Sequence, residues 1–400
     1  MNDVNVKNSA SAVNANGISE ISCDFDGGNI ICLANEAANN IRLEIRADHQ
    51  SEFYQWFYFR LEGRKGQDCV LTIENAQGAA FEGGWEDYNA CASYDNQDWF
   101  RVPTRYENGQ LIISHTPTQN RVYYAYFTPY NMKRLAGYVA KVAQHPDVNT
   151  SVLGQTLDGQ DLDFITVGAL AGTQAGTQAE GKKIMWVTAR QHPGEIMASW
   201  WIEGFLDRLL DDNDPVAVEL REKCIFYIVP NMNPDGSRRG HLRTNACGAN
   251  LNREWDVATM ERSPEVLYVM NEMAKTGVDF CIDVHGDEAL PYNFIAGAEG
   301  VHAFNDVHAD RLESFKQAYK KATPEFQTKI GYEAAAPGTG RTVMNTNYVA
   351  NTYDCLAMTL EMPFKDNADL PDARVGWSAA RSAKLGADIL EPMLEILAKL

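Results

Sequence analysis

A histidine and a glutamate lie three residues apart directly after an apolar, strand-like segment. The segment KIMWVTAR (183–190) is followed by His192-Pro-Gly-Glu195. An imidazole and a carboxylate on a tight Pro-Gly turn can bind one metal ion, and ligands of open α/β sheets bind beyond the carboxyl ends of the strands. The alternative is that His192 is an ordinary loop histidine.

A second histidine ends another apolar segment, in Asp283-Val-His285-Gly-Asp287. The separation of 93 residues (285 − 192) is too long for a local metal finger and natural for two strands of one sheet. Two histidines and one glutamate leave a fourth position open for water, which is typical of catalytic zinc. The alternative is a strand-end histidine that is hydrogen-bonded to a neighbouring carboxylate.

Polar residues that could bind an anion lie between these two motifs. Asn233-Pro-Asp-Gly236 is predicted to form a turn. Arg243 follows, and then the segment NLNREW (250–255). Arg253 can bind a carboxylate through two parallel hydrogen bonds, and Asn252 can add a donor. The alternative is a solvated loop with an N-cap asparagine.

A single glutamate, Glu361, interrupts the apolar segment that begins at Met358. Burial of an unpartnered carboxylate is costly, so the position needs a reason. One reason is an ion pair with a core arginine. The other is a general base that faces a metal-bound water.

The elements that must position these residues change in type near Pro129. The first third predicts short β-strands separated by polar turns, without a helical period, and therefore an antiparallel sandwich. From there strands and helices alternate, which favours a mixed, mostly parallel sheet with helices on both faces. We predict a β-sandwich domain at 1–128 and an α/β domain at 129–400. The predicted strands are 40–46, 53–61, 69–74, 111–115, 121–127, 183–190, 224–230, 278–285 and 356–362, and the predicted helices are 131–144, 194–211, 264–276, 302–323 and 374–400.

The motifs HPGE, NPDG, LNREW, VHGD and TLEMPF occur in the same order as in the M14 metallocarboxypeptidases, which this chain resembles. Its opening is similar to the cytosolic carboxypeptidase branch, in which a β-sandwich precedes the peptidase domain. The segments that carry this second likeness are GGNI (27–30) and WFYFR (56–60). The resemblance covers nearly the whole chain and implies a carboxypeptidase-like fold.

The resemblance implies one zinc ion per chain, bound by His192, Glu195 and His285. It implies that Glu361 is the general base and later the acid that protonates the leaving amine. It also implies that Arg243 stabilises the oxyanion on the scissile carbonyl. Zinc lowers the pKa of its water to roughly 7, so that one carboxylate is enough to make hydroxide.

The resemblance also implies how the substrate is bound. Asn252 and Arg253 correspond to the pair that holds the terminal carboxylate, so the enzyme would remove single residues from the free C-termini of peptides or proteins. Arg341, in PGTGR (337–341), corresponds to an arginine that favours a C-terminal glutamate or aspartate. The alternative for Arg341 is a surface arginine beside a glycine hinge.

One departure from the branch concerns a residue behind the metal ligands. Asn250 stands where the branch usually has an aspartate that orients a zinc-binding histidine, and an amide adds no negative charge. Asp283 or Asp287 could compensate. Either Tyr348 or Tyr353 could be the tyrosine that caps the substrate.

Composition limits the partners. The net charge of −19 and the pI of 4.8 disfavour nucleic acid and anionic membranes. The polar N-terminus predicts no targeting segment, and no apolar run approaches the roughly 20 residues of a membrane span. Eight cysteines without a CxxC pair predict free thiols in a reducing cytoplasm.

Two other functions stay open from the sequence. One is a zinc-dependent deacylase of N-acyl amino acids, which would share the two-histidine, one-glutamate site. The other is a degenerate peptidase that binds C-termini without hydrolysis. The sequence leaves the oligomeric state and the physiological substrate open.

Overall fold

The computed structural model describes residues 20–168 and 181–400. The small-residue segment GTQAGTQAEGKK (171–182), which the sequence predicts to be a loop, lies mostly outside the described residues. The chain forms two five-stranded sheets in its first third and one seven-stranded sheet after them. Within the two described ranges, no helix has the length and apolarity that a membrane crossing requires.

The first two sheets form the N-terminal β region (residues 20–125). Their orders are β1-β4-β10-β6-β7 and β2-β3-β5-β9-β8. Neighbours are antiparallel, as predicted, except that β3 and β5 are parallel. The strands are β1 Glu20–Ser22, β2 Ile31–Ala34, β3 Ile41–Glu44, β4 Tyr58–Glu62, β5 Cys69–Ile73, β6 Ala90–Ser93, β7 Trp99–Val102, β8 Thr104–Glu107, β9 Gln110–His115 and β10 Arg121–Ala125.

Alternation of buried and partly exposed residues explains these strands. In β5, Cys69, Leu71 and Ile73 are buried, and the residues between them are partly exposed, as expected for a strand with one face on the core. The strand predicted at 53–61 begins only at Tyr58. The carbonyl of Phe53 accepts a hydrogen bond from the Asp48 N–H at 2.9 Å, and that of Tyr54 accepts the Ala80 N–H at 3.0 Å, so these carbonyls are not used in a strand ladder.

The seven-stranded sheet has the order β11-β12-β14-β13-β15-β17-β16. Its centre is parallel, because β13 pairs in parallel with β14 and β15, and β15 with β17. The outer pairs are antiparallel. The mixed sheet predicted from the alternating pattern is thus confirmed. The strands are β11 Val148–Gln155, β12 Asp161–Val167, β13 Lys183–Ala189, β14 Cys224–Val229, β15 Phe280–Val284, β16 Phe294–Ala296 and β17 Leu356–Glu361.

Helices flank this sheet, and together they form the C-terminal α/β region (residues 132–396). Side chains cap several N-termini, for example Asn131, which accepts the Arg134 N–H at 2.8 Å. The helices are α1 Met132–Val142, α2 Met197–Leu209, α3 Pro215–Lys223, α4 Pro234–Arg239, α5 Pro264–Thr276, α6 Asp306–Ala322, α7 Asn345–Tyr353, α8 Ala379–Asp388 and α9 Leu390–Ile396.

Two local predictions were wrong. The predicted turn at NPDG starts helix α4, because the Asn233 side chain caps the Gly236 N–H at 3.0 Å and Pro234 suits the first helical position. The single helix predicted over 374–400 is two helices, α8 and α9. Pro392 has no N–H to donate to the Asp388 carbonyl, so the helix cannot continue through this turn.

The GGNI segment joins the two regions. A Cβ on Gly28 would lie 2.0 Å from the Cys23 carbonyl oxygen, so no side chain fits there. Asn29 donates its side-chain amide to the carbonyl of Gly240 at 2.9 Å, at the end of α4. Trp56, from the WFYFR segment, donates to the Gly27 carbonyl at 2.8 Å. The GGNI segment thus holds the N-terminal β region against the chain that follows β14, and Trp56 supports this segment from within its own region.

Candidate active site

The predicted site residues meet at one edge of the seven-stranded sheet. Strands β13, β15 and β17 are neighbours, and they end at Ala189, Val284 and Glu361. His192 and Glu195 follow the first of them, and His285 follows the second. Because parallel strands end at the same edge, the 93 residues between the two histidines do not separate them in space.

His192, Glu195 and His285 form a buried cluster that could hold one metal ion. One potential ligand atom from each lies within 4.8 Å of the others. The Nδ1 atom of His192 is 2.6 Å from Glu195 Oε1, and Nδ1 of His285 is 2.7 Å from Glu195 Oε2. All three residues are at most 4% exposed. Both Nδ1 atoms therefore face the same small volume as the carboxylate.

Each histidine has a second partner on its other ring nitrogen. His192 Nε2 lies 3.0 Å from the amide oxygen of Asn250, and His285 Nε2 lies 2.7 Å from Asp283 Oδ2. Asp283 also accepts from Thr188 Oγ1 at 2.8 Å and from the Gln191 amide. Such partners fix the ring orientation and leave Nδ1 for a metal. Asn250 thus takes up the orienting contact that an aspartate makes in the branch, and Asp283 supplies the negative charge on the other histidine.

The electrostatics of the cluster suit a cation. Burial lowers the pKa of His192 to about 4, with a further contribution from Arg243, so this imidazole is neutral at pH 7. Burial works against ionisation of Glu195, but the two histidines hold its pKa below the usual value. Burial also opposes a proton on His285, whereas Asp283 and Glu195 raise its pKa. A metal ion would replace that proton on Nδ1.

Glu361 lies beside this cluster with an unused oxygen. It is 7% exposed, and its Oε2 is buried and has no hydrogen-bond partner. Burial raises the pKa of Glu361 well above its usual value. No core arginine pairs with it among the described residues, which removes the alternative of an ion pair. A buried carboxylate with a free oxygen is suited to receive a proton.

Tyr332 is a site residue that the sequence did not indicate. Its hydroxyl donates to Asp287 Oδ2 at 2.5 Å and lies 3.4 Å from Glu361 Oε1. Tyr348, one of the two tyrosines considered, instead packs against Trp255 with ring centroids 5.9 Å apart. The only signal for Tyr332 was an aromatic residue within the otherwise small and polar segment GYEAAAPGTG.

Arg243 lies next to the His-Glu-His cluster. Its Nη1 atom is 4.0 Å from Glu195 Oε1, and its side chain is 13% exposed. Its guanidinium carbon lies 5.6 Å from the ring centroid of Phe53 and 5.1 Å from that of Phe81. Among the described residues, no acceptor lies within hydrogen-bonding distance of this guanidinium. Its N–H groups are therefore available to a ligand.

The two residues predicted to bind a terminal carboxylate also lie at this edge. Asn252 accepts the Asn345 N–H at 2.9 Å, and its amide nitrogen is 3.5 Å from His285 Nε2. Burial lowers the pKa of Arg253, and the guanidinium groups of Arg243 and Arg341 lower it further. The three arginines thus form a local positive field within an acidic protein.

A cleft of about 580 Å³ extends from these residues, and Arg341 does not line it. The lining includes Asn252, Tyr332 and Glu361, together with the amine-bearing Lys316. Arg341 is exposed and contributes backbone contacts, because its carbonyl accepts from the Asn347 side chain at 3.1 Å. The structure therefore brings the predicted metal ligands, Glu361, Arg243, Asn252 and Arg253 to this edge of the sheet. Arg341 lies exposed outside the cleft, close enough to Arg253 to lower the pKa of that guanidinium.

These features define a class of protein. The chain is an α/β protein with a preceding β-sandwich, and a His-Glu-His group lies at the carboxyl edge of its parallel strands beside an unpaired glutamate. The donor set fits zinc, which binds imidazole and carboxylate and needs an open position for catalysis. The orphaned Glu361 oxygen at the same place fits a hydrolase that activates water.

Comparison with known proteins agrees with this class. Residues 136–374 match the family described as zinc carboxypeptidase, and residues 21–127 match the cytosolic carboxypeptidase N-terminal domain. A metallo-carboxypeptidase from Burkholderia cenocepacia is 46% identical, with a TM-score of 0.91 and coverage of 95% of this chain and 99% of that one. A metallo-carboxypeptidase from Pseudomonas aeruginosa, solved with (2-guanidinoethylmercapto)succinic acid, is 40% identical, with a TM-score of 0.90 and the same coverage of 95% and 99%.

A more distant relative is cytosolic carboxypeptidase 6 of Caenorhabditis elegans. It is 27% identical over 372 residues, which cover 85% of this chain and 77% of the relative. The chain belongs to the M14 zinc carboxypeptidases. It is a metallocarboxypeptidase, a hydrolase that acts on peptides with free C-termini, so the deacylase and binding-module hypotheses are set aside.

Proposed function

We propose that one zinc ion per chain is held by His192, Glu195 and His285, and that Glu361 is the general base of peptide hydrolysis. The observation that carries the proposal is the buried Glu361 oxygen without a partner, next to three converging ligand atoms. When bound, zinc polarises the scissile carbonyl and acidifies its water.

Three side chains have separate roles in the proposed hydrolysis. Glu361 accepts a proton from the attacking water and gives it to the leaving amine, so that one carboxylate serves both steps. The free N–H groups of Arg243 stabilise the negative charge that develops on the carbonyl oxygen. Tyr332 lies within 3.4 Å of Glu361, where its hydroxyl can contact the same peptide bond.

Asn252 and Arg253 bind the terminal carboxylate of the substrate in this scheme. An internal peptide bond offers no such anion, which explains removal from the end only. The succinic acid part of the compound bound by the Pseudomonas relative carries two carboxylates, the group that this pair would hold. The family of the N-terminal β region supports action in the cytosol.

A preference for C-terminal glutamate or aspartate is the finer part of the proposal. Its support is the positive field of Arg243, Arg253 and Arg341 around the clamp. Arg341→Ala should lower kcat/KM for a Glu-ended peptide far more than for a Leu-ended one. The matched variant Lys316→Ala tests the amine that lines the cleft itself. If Arg341→Ala lowered kcat/KM equally for the Glu-ended and Leu-ended peptides, Arg341 would have no role in specificity.

Timed mass spectrometry of the zinc-loaded protein tests the main proposal. Two peptides that differ only in a C-terminal Glu or Leu are incubated with the native chain and with Glu361→Gln. Stepwise loss of C-terminal residues is expected from the native chain, and none from the variant, which should still bind peptide because the clamp is unchanged. Hydrolysis by Glu361→Gln at a native rate would eliminate Glu361 as the base.

A further inference from the structure

The loop that carries Arg243 is held by a carboxylate from the other region of the protein. Asp48, in the N-terminal β region, is 3% exposed. Its Oδ1 accepts the Leu242 N–H at 2.7 Å, and its Oδ2 accepts the N–H groups of Arg243 at 2.8 Å and Thr244 at 2.9 Å. The Thr244 hydroxyl adds a fourth bond at 3.0 Å. One side chain thus fixes three successive peptide units.

The same loop is tied to the metal motif on its other side. The Leu242 carbonyl accepts the Gly194 N–H at 2.8 Å, within His192-Pro-Gly-Glu195. A Cβ on Gly194 would lie 2.9 Å from that oxygen, so only glycine permits this contact without a shift. The segment 242–244 is therefore clamped between Asp48 and the cluster that we propose binds zinc.

The guanidinium is held by the same region as its backbone. Phe53 and Phe81 both lie within 6 Å of it, at 5.6 and 5.1 Å, and both belong to the N-terminal β region. Aromatic faces attract a guanidinium without using its N–H donors. The ring contacts therefore restrict where the cation lies and leave its hydrogen bonds for a developing oxyanion.

The geometry points to a direct part for the N-terminal β region in catalysis: Asp48 is a positioning residue that, together with Phe53 and Phe81, sets the place of the Arg243 guanidinium. Asp48 has this role only if Arg243 stabilises the oxyanion as proposed above. An oxyanion donor acts in the transition state more than on bound substrate, so its misplacement lowers kcat and changes KM little.

A double-mutant cycle in the zinc-loaded full chain tests this role. Asp48→Asn keeps the shape but turns an amide N–H group toward one of the backbone donors. We expect kcat to fall about tenfold or more with KM nearly unchanged, and Arg243→Ala to lower kcat by about 10² to 10³. In the Arg243→Ala background, Asp48→Asn should change kcat by less than about twofold, because the group that it positions is gone.

Asp26→Asn is the matched control. Asp26 is a carboxylate of the same region that accepts a backbone N–H of the other, that of Met132 at 2.6 Å, and it does not touch segment 242–244. It should lower the melting temperature and leave kcat unchanged. If Asp48→Asn does not fold, Phe81→Leu replaces it in the cycle, because it removes a ring without touching the backbone bonds.

The outcomes separate the two proposals. Asp48→Asn (or Phe81→Leu, if it replaces Asp48→Asn) could lower kcat equally in the native and Arg243→Ala backgrounds. That result would show a general structural effect and overturn the positioning role. No fall in the native background would overturn it as well. A native kcat in Arg243→Ala would instead contradict the oxyanion role of Arg243, and the positioning role would fall with it. A fall of kcat caused by Asp48→Asn in the native background alone supports both the oxyanion role of Arg243 and the positioning role of Asp48.

Discussion

At the scale of single residues, Asn250 is an uncharged outer partner of His192, one of the three proposed metal ligands. Asn250 accepts from His192 Nε2 at 3.0 Å, so the ring orientation is kept and only the charge is missing. Outer partners of metal ligands typically change affinity by about 10- to 100-fold. The corresponding partner of His285 is the carboxylate of Asp283.

Asn250→Asp should therefore bind zinc more tightly, with a dissociation constant at least about tenfold lower, because a carboxylate makes the imidazole a more basic ligand. Competition with a zinc chelator measures this constant. Asn250→Ala is the control and should weaken binding, since it removes the acceptor altogether. Equal affinities of the native chain and Asn250→Asp would mean that charge at this position does not matter.

At the scale of elements, glycines set how closely helices α2 and α8 pack. A Cβ on Gly204 would lie 1.8 Å from the Ala383 carbonyl oxygen, and one on Gly386 would lie 2.1 Å from that of Trp201. The backbones of the two helices thus touch directly. This contact fixes α2, whose start follows the metal motif at Glu195.

Gly204→Ala should destabilise the protein by roughly 1–3 kcal/mol or more, because the added methyl group forces the two helices apart. Gly137→Ala is the matched control. Gly137 lies within α1 with no atom within 4 Å of a built Cβ, so alanine should stabilise by about 0.5–1 kcal/mol through helix propensity alone. Thermal or urea unfolding measures both changes. A neutral Gly204→Ala would show that the helices can separate without cost.

At the scale of the whole molecule, one buried acid outside the active site predicts a pH dependence of stability. Glu265, in the first turn of α5, is fully buried, and its oxygens lie 3.4 Å from the Asn245 amide nitrogen. Burial raises its pKa from 4.5 to about 8, and Asp235 adds to the effect. Between about pH 4.5 and pH 8, Glu265 therefore keeps its proton in the folded protein and loses it in the unfolded chain.

The free energy of unfolding should fall as the pH rises from about 4.5 to about 8, because the unfolded state binds fewer protons than the folded state in that range. Glu265→Gln cannot lose a proton, so its stability should lack this slope and exceed that of the native chain at pH 8. Urea unfolding at pH 5, 6.5 and 8 measures the difference. A slope that is the same in both proteins would assign it to other groups.

The sequence by itself indicated the chemistry of this protein and the type of many of its elements. HPGE and VHGD each follow a strand-like apolar run, which favours a position of both histidines at the carboxyl ends of strands. Local pattern left other interpretations of His192, His285 and Glu361 open, and the family resemblance supplied their roles. Short-range rules failed at Pro234 and Pro392, where a cap and a missing N–H change what the surrounding residues favour. They also failed at 53–57, where the predicted strand does not form.

Only the tertiary structure decided the contacts between residues that are distant in the chain. Asp48 and Leu242 are 194 residues apart and share a 2.7 Å hydrogen bond, and no local pattern can indicate such a pair. The same holds for Tyr332 beside Glu361, and for Asp283 as the partner of His285, where Asp287 lies equally near in sequence. The reason is physical: residue type and periodicity fix local conformation and chemistry, whereas the packing of segments that are distant in the chain fixes which side chains meet.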